Sequence, residues 1–223
     1  MAGDFTPPPR IKNALDNRKL ALFAPCPAKP EVKSSLMWML VANNPRMVVW
    51  TNDPNDTGKS NGFGKITANL DMPVFVTYLQ MLSDIIEHDG EIRQSIDCLN
   101  YTFFTGKRSE KPELVSTIWV GKDKDGIIWT SLVAKNRPKI KFTFGNNDFH
   151  HYMNGDGSPM AASVVSQLFA KAYVKVMYGV MEHLLVTNFV EPEKKDKPAY
   201  GGDKGRSNNS YNNSNDSDDD IPF

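Results

Sequence analysis

The chain has 223 residues, 40% of them hydrophobic and 10% aromatic, and its 26 Lys and Arg balance 26 Asp and Glu. That is enough apolar material for a sizeable core, in a chain long for one small domain and short for two large ones. No window reaches the roughly 18 uninterrupted apolar residues that cross a bilayer, and no apolar run follows the first charges, so neither a membrane span nor a signal peptide is expected.

The neutral total conceals a division. Residues 1–190 carry 21 cations and 18 anions, a net +3, whereas residues 191–223 carry 5 and 8, a net −3. A mildly basic body suits an anionic ligand, and an acidic tail suits a basic partner. Cys26 and Cys98 have no metal-ligand spacing and point to a reduced, cytoplasmic protein, with a disulfide left open.

In chain order, residues 1–17 hold Pro7-Pro8-Pro9 and read as an irregular arm. Lys19 to Cys26, Leu36 to Val41 and Met47 to Asn52 read as strands, the last two joined through the turn sequence Asn43-Asn44-Pro45. Asp53 to Gly64 is a polar loop. Gly64 to Leu70 alternates, with Ile66, Ala68 and Leu70 on one side and Lys65, Thr67 and Asn69 on the other, as in a half-buried strand. A helix follows, capped by Asp71, with Pro73 in its first turn and a stripe from Phe75 to Ile86 that ends at Asp89-Gly90.

Ile96 to Thr105, Leu114 to Gly121, Ile127 to Ala134 and Lys139 to Phe144 then read as strands, with Lys124-Asp125-Gly126 as a hairpin turn. The final helix is expected from Pro159 to about Val186, with Val165, Leu168, Phe169, Ala172, Val176, Val180 and Leu184 along its apolar stripe. Residues 191–223 are expected to be a disordered linker, because Tyr200 to Asn215 is mostly Asn, Ser, Gly and Asp.

An internal repeat emerges from this order. Val48-Val49-Trp50-Thr51-Asn52 matches Ile127-Ile128-Trp129-Thr130-Ser131, and Lys65 to Leu70 matches Lys139 to Phe144. At the same offset Phe75 and Tyr78 fall opposite Phe149 and Tyr152, and Trp38 pairs loosely with Trp119. The body, 18–190, is therefore expected to be α+β: two tandem strand-rich halves, about 18–90 and 91–190, each closed by a helix. The helices would cover one side of the antiparallel sheets and leave the other open. Four strands and a helix, twice, resembles the Whirly family and its relatives among transcriptional coactivators. Gly64-Lys65-Ile66 with Asn69-Leu70 entering a helix is similar to the end of that unit. This resemblance implies that single strands bind the exposed sheet. An OB-fold barrel with added helices is the alternative.

The chain finishes Asp218-Asp219-Asp220-Ile221-Pro222-Phe223. This resembles, residue for residue, the C-terminal tip of bacterial single-stranded DNA-binding proteins. The resemblance implies sequence-nonspecific binding and protection of single-stranded DNA in replication, recombination or repair, by a phage-encoded analogue acting in the host cytoplasm. It also implies recruitment of replication and repair proteins, including a bacterial host's. Pro222 and Phe223 would fill an apolar pocket, the terminal carboxylate would meet an Arg or Lys, and Asp218, Asp219 and Asp220 would meet a basic rim.

Binding single strands without base preference needs cations for phosphates and aromatic faces for bases. Arg137, Lys139 and Lys141 alternate with Ile140, Phe142 and Phe144, and Lys135 extends their row. Lys65 has the matching place in the first half, and Lys107 with Arg108, then Lys122 and Lys124, add hairpin cations. The aromatic candidates are Trp50, Trp129, Tyr101 and Phe103, chosen from a set that includes Trp38, Trp119 and Phe104.

Enzyme signals are poor. Gly58-Lys59-Ser60 looks like the end of a phosphate-binding loop, but Asp53 stands where that motif needs glycine. His150-His151 point opposite ways in an extended chain, and no metal motif or nucleophile elbow occurs, so neither cofactor nor catalytic residue is assigned. A strand-annealing recombination or transcription cofactor and a DNA-processing enzyme subunit docked by its tail are the functional alternatives. Pairing of chains into a homo-oligomer stays open.

Overall fold

A computed structural model of the chain describes residues 13–56, 59–60, 63–104, 107–145 and 149–191, and for Lys59, Ser60, Phe63, Phe103 and Phe104 the backbone alone. The first sheet is built by β1 (Leu22–Cys26), β2 (Lys29–Val41), β3 (Asn44–Trp50), β4 (Lys59–Ser60) and β5 (Phe63–Asn69), of which β2, β3 and β5 turn apolar side chains to one face. They pair antiparallel in the order β1-β2-β3-β5-β4. Leu36, Trp38 and Leu40 of β2, Met47 and Val49 of β3, and Ile66 and Ala68 of β5 share the buried face. The β2–β3 turn falls at Ala42 and Asn43, both with positive φ, which matches the twist of paired strands; Asn44 and Pro45 belong to β3.

The second sheet contains β6 (Ile92–Asn100), β9 (Glu113–Lys122), β10 (Ile128–Val133) and the short β11 (Phe142–Thr143), in the order β11-β10-β9-β6 and again antiparallel. A small ribbon of β7 (Phe103–Phe104) and β8 (Lys107–Arg108) extends the β6–β9 hairpin. Helix α1 (Met72–Glu87) follows the first sheet, and α2 (Ala162–Thr187) follows the second. The described residues are thus α+β, with two principal antiparallel sheets and two helices. Among them no helix is long and apolar enough to cross a membrane.

The inner faces of both sheets and one face of each helix meet in a single core. Trp38 packs edge-on against Phe75, with ring centroids 4.8 Å apart, and lies 5.3 Å from Tyr78. Tyr78 reaches the second sheet: its hydroxyl donates to Thr130 Oγ1 at 3.3 Å, and Thr130 donates to the Trp119 carbonyl at 3.0 Å. Burial pushes the Tyr78 phenol well above its ordinary range, so it keeps its proton as a donor.

Four expectations are corrected. The core begins inside the stretch read as an arm, because Leu15 is buried after a turn in which Asn13 and Asp16 cap each other. Phe149 and Tyr152 do not match Phe75 and Tyr78, for the first pair is exposed and the second wholly buried. Trp38 and Trp119 are not equivalent, since Trp38 faces the core and Trp119 the opposite side of its sheet. On α2, Leu168 and Val176 are exposed, and Ser166, Ala170, Tyr173, Val174, Met177 and Met181 pack inward instead. Two apolar stripes run along this helix, and small Ser166 and Ala170 allow its backbone to approach the sheet. Cys26 and Cys98 are both free thiols, and burial raises the pKa of Cys98.

Lys122 also departs from its expected role as a hairpin cation. It is 5% exposed and donates through Nζ to the carbonyls of Ile86, at 2.9 Å, and His88. It therefore satisfies orphan carbonyls at the C-terminal end of α1, where a positive charge is favoured. Lys122→Met should keep the packing but leave the buried Ile86 carbonyl without its donor, destabilising the protein by about 1–3 kcal/mol in urea titrations.

Candidate nucleic-acid interface

Strand parity in the second sheet sorts its side chains cleanly. Ile118 and Val120 of β9, Ile128 and Leu132 of β10, and Ile140 and Phe142 point into the core. The opposite face carries Arg93, Ser95 and Asp97 on β6, then Thr117, Trp119 and Gly121 on β9. Trp129, Ser131 and Val133 on β10 follow, and then Lys139, Lys141 and Thr143 along β11 and its approach. Among the described residues no helix covers this side. It holds a groove of about 1100 Å³ bordered by Trp119, Trp129, Arg93, Lys135, Lys139 and Lys141.

Charge in the groove is mostly positive. Among the described residues four cations line it against one carboxylate, Glu113, which accepts a hydrogen bond from the Thr102 hydroxyl at 2.7 Å. Asp97, on the same sheet face, accepts from the Thr117 hydroxyl at 2.9 Å. Both indoles have a cation beside them: Lys141 Nζ lies 4.6 Å from the Trp129 ring centroid, and the Arg93 guanidinium 5.7 Å from that of Trp119. Trp129 lies flat across Gly121, where a Cβ would come within 2.6 Å of the ring. Glycine on β9 therefore gives the indole its seat. With Gly121 beneath it and Lys141 over it, Trp129 is only 8% exposed, whereas Trp119 is half-buried and more open.

Apart from Arg137, the sequence-predicted site residues divide into four groups. Lys135, Lys139, Lys141 and Trp129 come together in the groove. Trp50 and Lys65 form a similar pair on the outer face of the first sheet, with Nζ 5.8 Å from the ring centroid. Tyr101 and Arg108 stack in the β6–β9 hairpin extension, the guanidinium 3.5 Å over the phenol ring, with Lys107 exposed beside them. The Phe103 side chain and Asp218, Asp219, Asp220, Ile221, Pro222 and Phe223 lie outside the described residues.

Arg137 is the correction. It does not share the face of Lys139 and Lys141; its guanidinium is bound to the buried Asp56 carboxylate through Nε to Oδ1 and through Nη2 to Oδ2 at 2.8 Å. Nη2 also donates to the Lys65 carbonyl at 3.1 Å, tying the β10–β11 loop to β5. Parity fails here because residues 134–137 form a turn, closed by Arg137 N–H donating to the Ala134 carbonyl, with Asn136 at positive φ. The row of cations begins only after Pro138.

Arg93 and Trp119 enter the site from outside the predicted set. Arg93 alternates with Ser95 and Asp97 opposite Ile92, Ile96 and Cys98, a pattern that becomes visible once β6 starts at Ile92 rather than Ile96. Trp119 shares parity with Thr117 and Gly121, which distinguishes it from Trp38 between Leu36 and Leu40. Among the described residues no three His, Cys, Asp or Glu side chains gather as metal ligands. No protein-family model, characterised protein sequence or solved structure matches this chain.

Proposed function

We propose that the chain binds single-stranded DNA without sequence preference through the open face of its second sheet. In this reading it brings replication and repair proteins to that DNA through Asp218 to Phe223. The observation that carries the reading is the groove in which Trp119 and Trp129 lie among Arg93, Lys135, Lys139 and Lys141. Cations beside indoles are what a single strand requires, phosphate by phosphate and base by base, with stacking contributing about 1–3 kcal/mol per base. The described lining contains no Asn or Gln, the side chains that read adenine edges, which fits coating rather than readout. Four principal strands and a helix, twice over, support a Whirly-like body. The tip supplies a weak, exchangeable contact, since burying one Phe contributes about 1.5–3 kcal/mol.

Titration with oligothymidylate, followed by intrinsic tryptophan emission at several salt concentrations, tests this. Quenching is expected because two of the four tryptophans border the groove. The four lining cations predict that log affinity falls with log salt at a slope of about −3. Absence of binding to single strands at low salt overturns the reading, as does binding that is indifferent to salt.

A further inference from the structure

A second groove, of about 800 Å³, lies where β1 and β11 come together. Its described lining joins three cations, Arg18, Lys19 and Lys33, to three phenylalanines, Phe23, Phe149 and Phe169, and among the described residues it includes no Asp or Glu. These residues come from the turn before β1, from β1 and β2, from the segment after β11 and from α2. Phe23 is 40% exposed and Phe149 86%, whereas Phe75, Phe142 and Phe144 are fully buried. A single exposed ring needs no explanation. Two exposed rings beside three cations in one groove have the composition that stacks bases and neutralises phosphates.

The two grooves meet along β11 and the segment that leads into it. Lys139, Lys141 and Thr143 are exposed in alternation with buried Ile140 and Phe142, so they stand on one face. Lys139 and Lys141 border the first groove, and Thr143 borders the second. We propose that a single strand of nucleic acid held in the first groove runs on across Lys141 and Thr143 into the second. There Arg18, Lys19 and Lys33 take its phosphates, and Phe23 and Phe149 its bases. This extension rests on the reading of the first groove as a single-strand site. It assigns a further binding function to the β1–β11 seam and makes the bound length greater than the second sheet alone would cover.

The test compares the full-length protein with its Arg18→Ala/Lys19→Ala/Lys33→Ala variant, using oligothymidylates of increasing length. All three side chains are exposed, so the fold should be kept; Lys33→Ala alone, with the smallest structural footprint, is the companion variant should the triple change lower stability. For short oligonucleotides, which the first groove accommodates, both proteins should bind equally. Beyond a threshold length the wild type should gain affinity and the triple variant should not. The gap should reach about 10- to 100-fold at about 0.1 M salt, with a salt slope shallower by about 2. Lys33→Ala should show the same length dependence with about a third of the change in slope. Equal binding at every length, or equal weakening at every length, overturns the extension while leaving the first groove in place. Failure of the wild type to bind any length overturns the primary reading instead.

Discussion

Replacing Arg137 by alanine should destabilise the protein by about 3–5 kcal/mol, among the largest effects of any single substitution outside the apolar core. The reason is what it leaves behind. Asp56 is 2% exposed and sits between Thr51, whose hydroxyl donates to Oδ2 at 2.6 Å, and the Arg137 guanidinium. Without the arginine the buried carboxylate loses the guanidinium that neutralises it, and the β10–β11 loop loses its tie to the Lys65 carbonyl. Gly64 belongs to the same arrangement, because a Cβ there would collide with both the Asp56 carboxylate and the Thr51 hydroxyl.

Urea titration should show the midpoint of Arg137→Ala falling steeply. At low temperature, where the variant is folded, single-strand affinity should drop less than tenfold, the scale of losing about one phosphate contact. Adding Asp56→Asn should recover part of the stability by removing the buried charge that the guanidinium neutralised. Unchanged stability with strongly weakened DNA binding would return Arg137 to the row of DNA-contacting cations.

Charge reversal of Lys139 and Lys141 together should have the opposite signature, with stability retained and binding lost. Both side chains are exposed, while Ile140 and Phe142 between them hold the segment in the core. Removing two phosphate contacts costs about 25-fold at about 0.1 M salt, and placing two carboxylates against the strand raises this to about 100-fold or more. The loss should shrink as salt rises, since repulsion between exposed charges is screened within about 10 Å at 0.1 M. Lys141→Glu also removes the ammonium from over Trp129, so the emission of the free protein should shift. Lys175→Glu, an exposed reversal on α2 outside the groove, is the control and should change affinity only a few-fold. Equal losses in both proteins would mean that net charge, rather than this groove, attracts the strand.

These two variants separate what looked alike in one dimension. Arg137, Lys139 and Lys141 share parity along the chain, yet a turn at 134–137 sends the arginine to Asp56 and leaves the lysines on the sheet. Trp38 and Trp119 looked comparable, yet their neighbours already differ: Leu36 and Leu40 flank one, Thr117 and Gly121 the other. On α2 the sequence offers two apolar stripes, and nothing local chooses between them. Packing chooses, because Ser166 and Ala170 are small enough to approach the second sheet, where the Ser166 hydroxyl accepts from the Ile128 N–H at 2.9 Å.

The sequence by itself determined the elements that repeat with a clear period: the stripe of α1, although Asp71 at its N-cap makes no side-chain cap hydrogen bond, the alternation of β5, and the burial of Ile140, Phe142 and Phe144 beneath two lysines. Period is a local property, and burial on one face is enough to impose it. The tip from Asp218 to Phe223 is likewise read from sequence alone. Only the tertiary structure decided which cations meet which rings. Arg93 joins Lys139 and Lys141 through pairing across four strands, and Arg18, Lys19 and Lys33 meet Phe149 because β1 and β11, from opposite ends of the body, lie side by side. Such juxtapositions are set by core packing between distant segments, which leaves no period in the chain to read.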